Sequence, residues 1–142
     1  MNTDVYFLCY TSKATAPIGS AELAADITDI ITIAPENNRS LHLTGALLYA
    51  NGYFCQILEG PRGAVTSLIE KIKKDPRHQE VRTHAVGYRK ERTFSKWSMG
   101  YTGDIPSLPE EIQELMTSPD DMVAEDAGAV ITRFLLSKLE KH

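Results

Sequence analysis

The chain has 142 residues, 42% apolar and 24% charged, with a formal net charge of −4. That length suits one domain with a real core, and the acidic balance argues against general nucleic-acid binding, which needs a basic face. No apolar stretch approaches the roughly 20 residues of a membrane span, no basic-then-apolar leader opens the chain, and Cys9 and Cys55 lack metal or redox spacing, so a cytoplasmic protein in a reducing compartment is expected.

Residues 5–11, VYFLCYT, are aromatic and β-branched, which predicts a strand. Val5, Phe7 and Cys9 share one face; Tyr6, Leu8 and Tyr10 share the other. A strand apolar on both faces belongs in the middle of a sheet. Residues 12–19 read as a loop punctuated by Pro17 and Gly19. Ser20 is placed to cap a helix whose apolar stripe runs Leu23, Ile27, Ile30, Ile31 and Ala34. Pro35 is expected to end that helix, leaving residues 36–40, ENNRS, as a polar connector. Residues 44–61, TGALLYANGYFCQILEGP, predict a β-hairpin turning at Asn51-Gly52. Its second arm sets Phe54, Gln56 and Leu58 on one face. A neutral amide between two apolar neighbours is costly unless its donors and acceptors find partners.

A second helix follows Pro61, with Val65, Leu68, Ile69 and Ile72 on its inner stripe, and ends near Asp75-Pro76. Residues 81–88 and 93–101 predict two further strands joined by a charged turn over residues 89–92. Short connections and right-handed crossovers turn this order into a ferredoxin-like α+β fold, a mixed sheet with both helices on one face. The opposite face, carrying Phe7, Cys9, Cys55 and Ile57, then needs cover from two short helices within residues 109–118 and 120–141.

No phosphate-binding glycine loop, nucleophile elbow or zinc-protease motif is present. The histidines are not spaced as metal ligands. Glu59, Asp75 and Asp104 stand at element ends and suggest no acid–base pair. What remains is a group of neutral hydrogen-bonding side chains, Tyr10, Asn37, Asn38 and Gln56, on the helix-covered side. Together they describe a slot that is apolar in the middle and offers amides at one end.

Tyr10 in LCYTSKA, Asn37-Asn38 before LTGALLY, and the stretches FCQILEGP, DPRH and FSKWSMGY together resemble BLUF domains, the blue-light sensors that use flavin. The resemblance covers about residues 4–102. It implies a non-covalent flavin, usually FAD and sometimes FMN, held between the two helices. Asn37 and Asn38 match ring contacts, Ile30 and Ile31 the packing stripe, and Lys71, Arg77 and His78 phosphate-side contacts, although Arg or His would be more usual than lysine at position 71. Tyr10 and Gln56 match the photoactive pair: the tyrosine gives an electron and a proton to excited flavin, and the glutamine amide is left rearranged. Trp97 and Met99 match the strand that passes the change on. The resemblance further implies a sensor domain over residues 1–102, a helical cap or output extension over residues 103–142, no catalytic turnover, no metal, and signalling through a homodimer or a separate protein. Residues 103–142 are too few for a cyclase or phosphodiesterase domain, so a stand-alone sensor is expected. Against these stand two other readings, a small ferredoxin-like enzyme and a ligand-binding module without photochemistry.

Overall fold

In the computed structural model, which describes residues 4–103, 108–117 and 127–139, Asn51 and Gly52 take φ values of 52° and 87°. These left-handed conformations close a two-residue turn whose twist matches the strands it joins. Those strands are β2 (Thr44–Ala50) and β3 (Tyr53–Gly60). β3 lies antiparallel to β1 (Val5–Ala14), which sets Tyr10 opposite Gln56 and Leu8 opposite Leu58. β1 runs past Thr11 into the expected loop, because Lys13 pairs with Tyr53 on one side and with Gln79 of β4 (His78–Arg89) on the other.

The strand order is β4-β1-β3-β2-β5, with β5 (Gly100–Thr102) added parallel to β2 at the edge. The first four strands, with α1 (Ala21–Ser40) and α2 (Arg62–Lys74) as crossovers, make the ferredoxin-like α+β unit. Both crossover helices cover one face. α2 packs Val65 and Ile69 onto Tyr6, Leu8 and Leu58; α1 packs Leu23 into a cluster with Leu47, Phe54 and Met99. The other face, built from Cys9, Cys55, Ile57 and Leu48, is covered by α3 (Glu110–Thr117) and α4 (Ala127–Leu139) through Ile112, Met116, Ile131 and Leu135. Both C-terminal helices are therefore part of the core. Among the described residues no helix is long and apolar enough to cross a membrane, and no group of side chains is arranged to hold a metal. Asp104 and His142 lie outside the described residues.

Two further expectations are corrected. Pro35 does not end α1, which continues through it to Ser40. A proline inside a helix removes one backbone hydrogen bond, but the added turn buries Asn38 and closes with Leu41 N–H on the Asn37 and Asn38 carbonyls. The asparagines are thus helical residues, not connector residues. Residues 93–101 do not form a strand beside residues 81–88; only Gly100–Thr102 is extended, at the opposite edge of the sheet. Instead of a strand ladder, the carboxylate of Glu59 accepts the backbone N–H groups of Thr93 and Phe94 at 3.0 and 2.6 Å. A side chain there does the work of a neighbouring strand, and Trp97 sits in an irregular crossing segment.

Candidate functional site

The two crossover helices pack on separate apolar clusters and leave a slot between them above the middle of β1 and β3. Its floor carries Tyr10, Leu47 and Gln56. Ile30, Ile33 and Ala34 of α1 form one wall; Leu68 and Ile72 of α2 form the other. Asn37, Asn38 and Met99 line the slot as well; Lys71 and Arg77 bring positive charge to it, and His78 adds an imidazole.

Tyr10 and Gln56 are brought together by the β1–β3 register. The Tyr10 hydroxyl donates to Gln56 Oε1 at 2.5 Å, and both side chains are nearly dry, 1% and 5% exposed. Burial pushes the Tyr10 phenol well above its ordinary pKa, so the hydroxyl keeps its proton in the resting state. That is the only side-chain hydrogen bond Gln56 makes among the described residues; its amide nitrogen has no protein acceptor. Asn38, 2% exposed, donates through Nδ2 to the carbonyl of Ser98 at 2.9 Å and leaves its own carbonyl oxygen unclaimed. Asn37 leaves both ends of its amide unclaimed. Donors and acceptors therefore meet at one end of an apolar slot without saturating one another.

The charged rim is partly self-neutralised. Arg77 meets Asp75 edge-on, with Nε 3.0 Å from Oδ1 and Nη2 2.6 Å from Oδ2. Hydrogen bonding to Arg77 holds the Asp75 carboxyl below its usual range. Lys71 is exposed, with no such partner. His78 bonds through Nδ1 to Ser12 Oγ at 2.8 Å, and burial lowers its pKa.

A profile of the family described as "Sensors of blue-light using FAD" matches residues 5–100. The chain belongs to the BLUF family. Its BLUF region is 41% identical over 93 residues to photoactivated adenylate cyclase subunit beta of Euglena longa, covering 65% of this chain and 10% of that protein. It is 36% identical over 125 residues to photoactivated adenylate cyclase subunit alpha of Euglena gracilis, covering 88% of this chain and 11% of the relative. The chain thus spans about a tenth of the length of these relatives. Among solved structures, the BLUF protein BlrB in its dark state superposes with a TM-score of 0.73 at 29% identity, covering 96% of this chain and 98% of that one. The photo-activated state of BlsA superposes at 0.74 with 27% identity, covering 93% and 94%.

Of the residues matched to BLUF roles, the slot gathers Tyr10, Ile30, Asn37, Asn38, Gln56, Lys71, Arg77, His78 and Met99, and omits two. Ile31 packs beside the Leu23–Leu47–Phe54 cluster instead. Trp97 packs toward the opposite face with its ring 6.3 Å from that of Phe94, while Met99 is buried against Leu47 and Phe54. Sequence reading missed Asp29 and Ile33. Ile30, Ile33, Ala34 and Asn37 fall at i, i+3, i+4 and i+7, a signal visible once α1 is allowed to continue through Pro35. Glu59 was missed as well. Fully buried at 0% exposure, it accepts from Thr44 Oγ1 at 2.8 Å and lies 3.7 Å from Arg89, in addition to holding the Thr93 and Phe94 amides. Arg89 in turn reaches Thr132 of α4 at 3.0 Å. One carboxylate links β3, the crossing segment and, through Arg89, the cap.

Proposed function

We propose that this chain is a blue-light photoreceptor that holds FAD without a covalent bond in the slot between α1 and α2, with Tyr10 and Gln56 as its photoactive pair. The observation that carries the reading is the Tyr10 hydroxyl donating to a glutamine whose amide nitrogen is left without a protein partner at the same slot. The residues fit the cofactor. Asn37, Asn38 and Gln56 offer amide donors and acceptors to the pyrimidine edge of the ring. Ile30, Leu47, Leu68 and Ile72 supply the dry walls, and Lys71, His78 and the unengaged Nη1 of Arg77 suit the diphosphate, which favours FAD over FMN.

Bound there, the flavin supplies absorption of blue light and an acceptor for one electron. Tyr10 can lose its electron only if its proton also leaves, because a charged phenol radical is disfavoured in so dry a place. Gln56 Oε1 is the acceptor already on that proton. When Tyr10 is restored, the amide can remain turned or tautomerised, with a donor where Oε1 stood. The slot then presents a changed hydrogen bond at its amide end. Asn38 ties this end to the Ser98 carbonyl, and Met99 closes it, so residues 94–99 are the first protein segment to feel the change.

In this reading the chain turns over no substrate, and residues 1–102 act as sensor with residues 103–142 as cap and output extension. The signal leaves by contact, through a homodimer or a separate protein, with light biasing two conformations. Val86 and Tyr88, 53% and 48% exposed on the edge strand β4, favour self-association there. A cytoplasmic setting suits the two free, buried thiols Cys9 and Cys55. The test is colour. Protein purified from flavin-replete cells should be yellow, shift its absorption to the red under blue light and recover in darkness; colourless protein contradicts the proposal.

A further inference from the structure

On the far side of Met99 from the slot lies a second, more polar cleft of about 520 Å³, between the end of α1 and the crossing segment. Arg39, His42, Arg92 and Lys96 all line it, and no carboxylate does. This is unusual within a chain whose net charge is −4. Elsewhere Lys73, Arg77, Arg82 and Arg89 each have an acidic partner, whereas Lys71 stands without one among the described residues, on the rim of the slot. Among the described residues no carboxylate pairs with Arg39, His42 or Lys96, and all three are exposed.

Arg92 plays a different part from the other three. Its guanidinium donates to Thr44 Oγ1 at 3.0 Å, to the Glu59 carbonyl at 3.3 Å and to the His42 carbonyl at 2.7 Å. It is fixed as a positive wall, and it fixes the chain that carries His42. His42 itself holds a φ of 59° just beyond the helix cap, with its N–H on the Arg39 carbonyl at 3.1 Å. The Asn37, Asn38 and Arg39 carbonyls at the end of α1 are therefore satisfied from within the chain. Ser95 and Ser98 add hydroxyls.

We infer that this cleft binds a small ligand bearing phosphate, taken by Arg39 and Lys96 with His42 and the serine hydroxyls as further donors. Two unpaired cations, Arg39 and Lys96, beside the fixed guanidinium of Arg92 and the His42 ring, suit a compact anion with several acceptor oxygens; an acidic peptide would be met by charges spread along an extended surface. The space lies in the range of small-molecule sites. The ligand would also be coupled to light, a part of the inference that rests on the photoreceptor reading. Met99 borders both cavities, Ser98 holds Asn38, and the Trp97 carbonyl accepts from Gly45 N–H at 3.1 Å. A ligand seated on residues 95–98 bears on the same segment as Gln56, and coupling of this kind is reciprocal.

The test is calorimetric titration of the flavin-loaded protein with pyrophosphate in darkness and under blue light, with fluorescence of Trp97, the single tryptophan, as a second readout. Saturable binding is expected, weakening with added salt, and Arg39→Gln or Lys96→Gln should each reduce affinity about tenfold, as loss of a charge-assisted hydrogen bond does. Lys74→Gln, exposed on α2 and lining neither cavity, should leave it unchanged. Both cleft positions are exposed, so the variants keep the fold. Absence of saturable binding at millimolar pyrophosphate, or equal binding by the Arg39→Gln/Lys96→Gln double variant, overturns the site. Binding of polyglutamate without binding of pyrophosphate overturns it in favour of a protein-docking surface. Equal affinity in dark and light overturns the coupling. The dark titration requires no photochemistry, so its failure is distinct from failure of the red shift.

Discussion

Gln56 and Glu59 stand three residues apart on β3, face opposite sides of the sheet and are both buried, yet they are satisfied in opposite ways. Glu59 accepts from Thr44 and from two backbone amides, with Arg89 nearby. Gln56 accepts one hydrogen bond and has donors to spare. A saturated buried group fixes its surroundings, because every alternative strands a donor or a charge. An unsaturated amide can exchange partners at little cost. The same strand thus carries a clamp on the cap side and an adjustable group on the slot side.

This contrast can be broken from either end. The largest expected effect is on the slot side: Tyr10→Phe removes the one side-chain hydrogen bond that Gln56 makes among the described residues and should abolish the light-induced shift while the protein stays yellow, as absorption spectra of the purified variant would check. An intact shift would remove Tyr10 from the pair. On the clamp side, Glu59→Ala strands the Thr93 and Phe94 amides and leaves Arg89 without its acid. The loss should be about 3–5 kcal/mol, the scale for breaking a buried ion pair, measured by denaturant unfolding. A loss under about 1 kcal/mol, the scale of an exposed ion pair, would show that Glu59 does not clamp.

Two smaller effects sharpen the picture. Asn38→Ala removes an amide from the slot and the link to Ser98. Flavin retention should weaken about tenfold, the worth of one good hydrogen bond, in an equilibrium dialysis assay. His78 supplies a pH dependence. Burial, and after it the Arg77 charge, lower its pKa from 6.5 against the pull of Asp75 and Asp26. The folded state therefore prefers the neutral ring. That contribution is complete above about pH 6.5 and is lost as pH falls from there through the lower folded value. Melting temperature should decline on acidification across this window, and less steeply in His78→Gln; parallel profiles would show that His78 is not the titrating group.

Much of this was legible in the residue pattern, for physical reasons. Asn51-Gly52 fixes the hairpin, the hairpin fixes the register, and strand alternation then puts Tyr10 and Gln56 on one face. The double-sided apolarity of β1 and β3 called for cover on both faces, and α3 and α4 supply it. Three features were not legible. Proline carries a strong local signal against helix, and only the burial of Asn38, a tertiary effect, overrides it at position 35. The apparent strand over residues 93–101 has suitable composition, but its ladder is replaced by a side chain from β3, which no local pattern reveals. Glu59 looked like an ordinary carboxylate at a strand end; its partners come from residues 44, 89, 93 and 94, scattered along the chain. Trp97 followed from the resemblance, yet it packs with Phe94 while Met99 lies toward the slot.

The central claim, that an unsaturated amide at position 56 is the switch, is tested most directly by the light-minus-dark absorption spectrum of flavin-loaded Gln56→Leu. Leucine keeps the volume and removes both the donor and the acceptor. The account predicts a flat difference spectrum where the wild-type protein shows a red shift that recovers in darkness. A wild-type-like shift from the Gln56→Leu protein would contradict it.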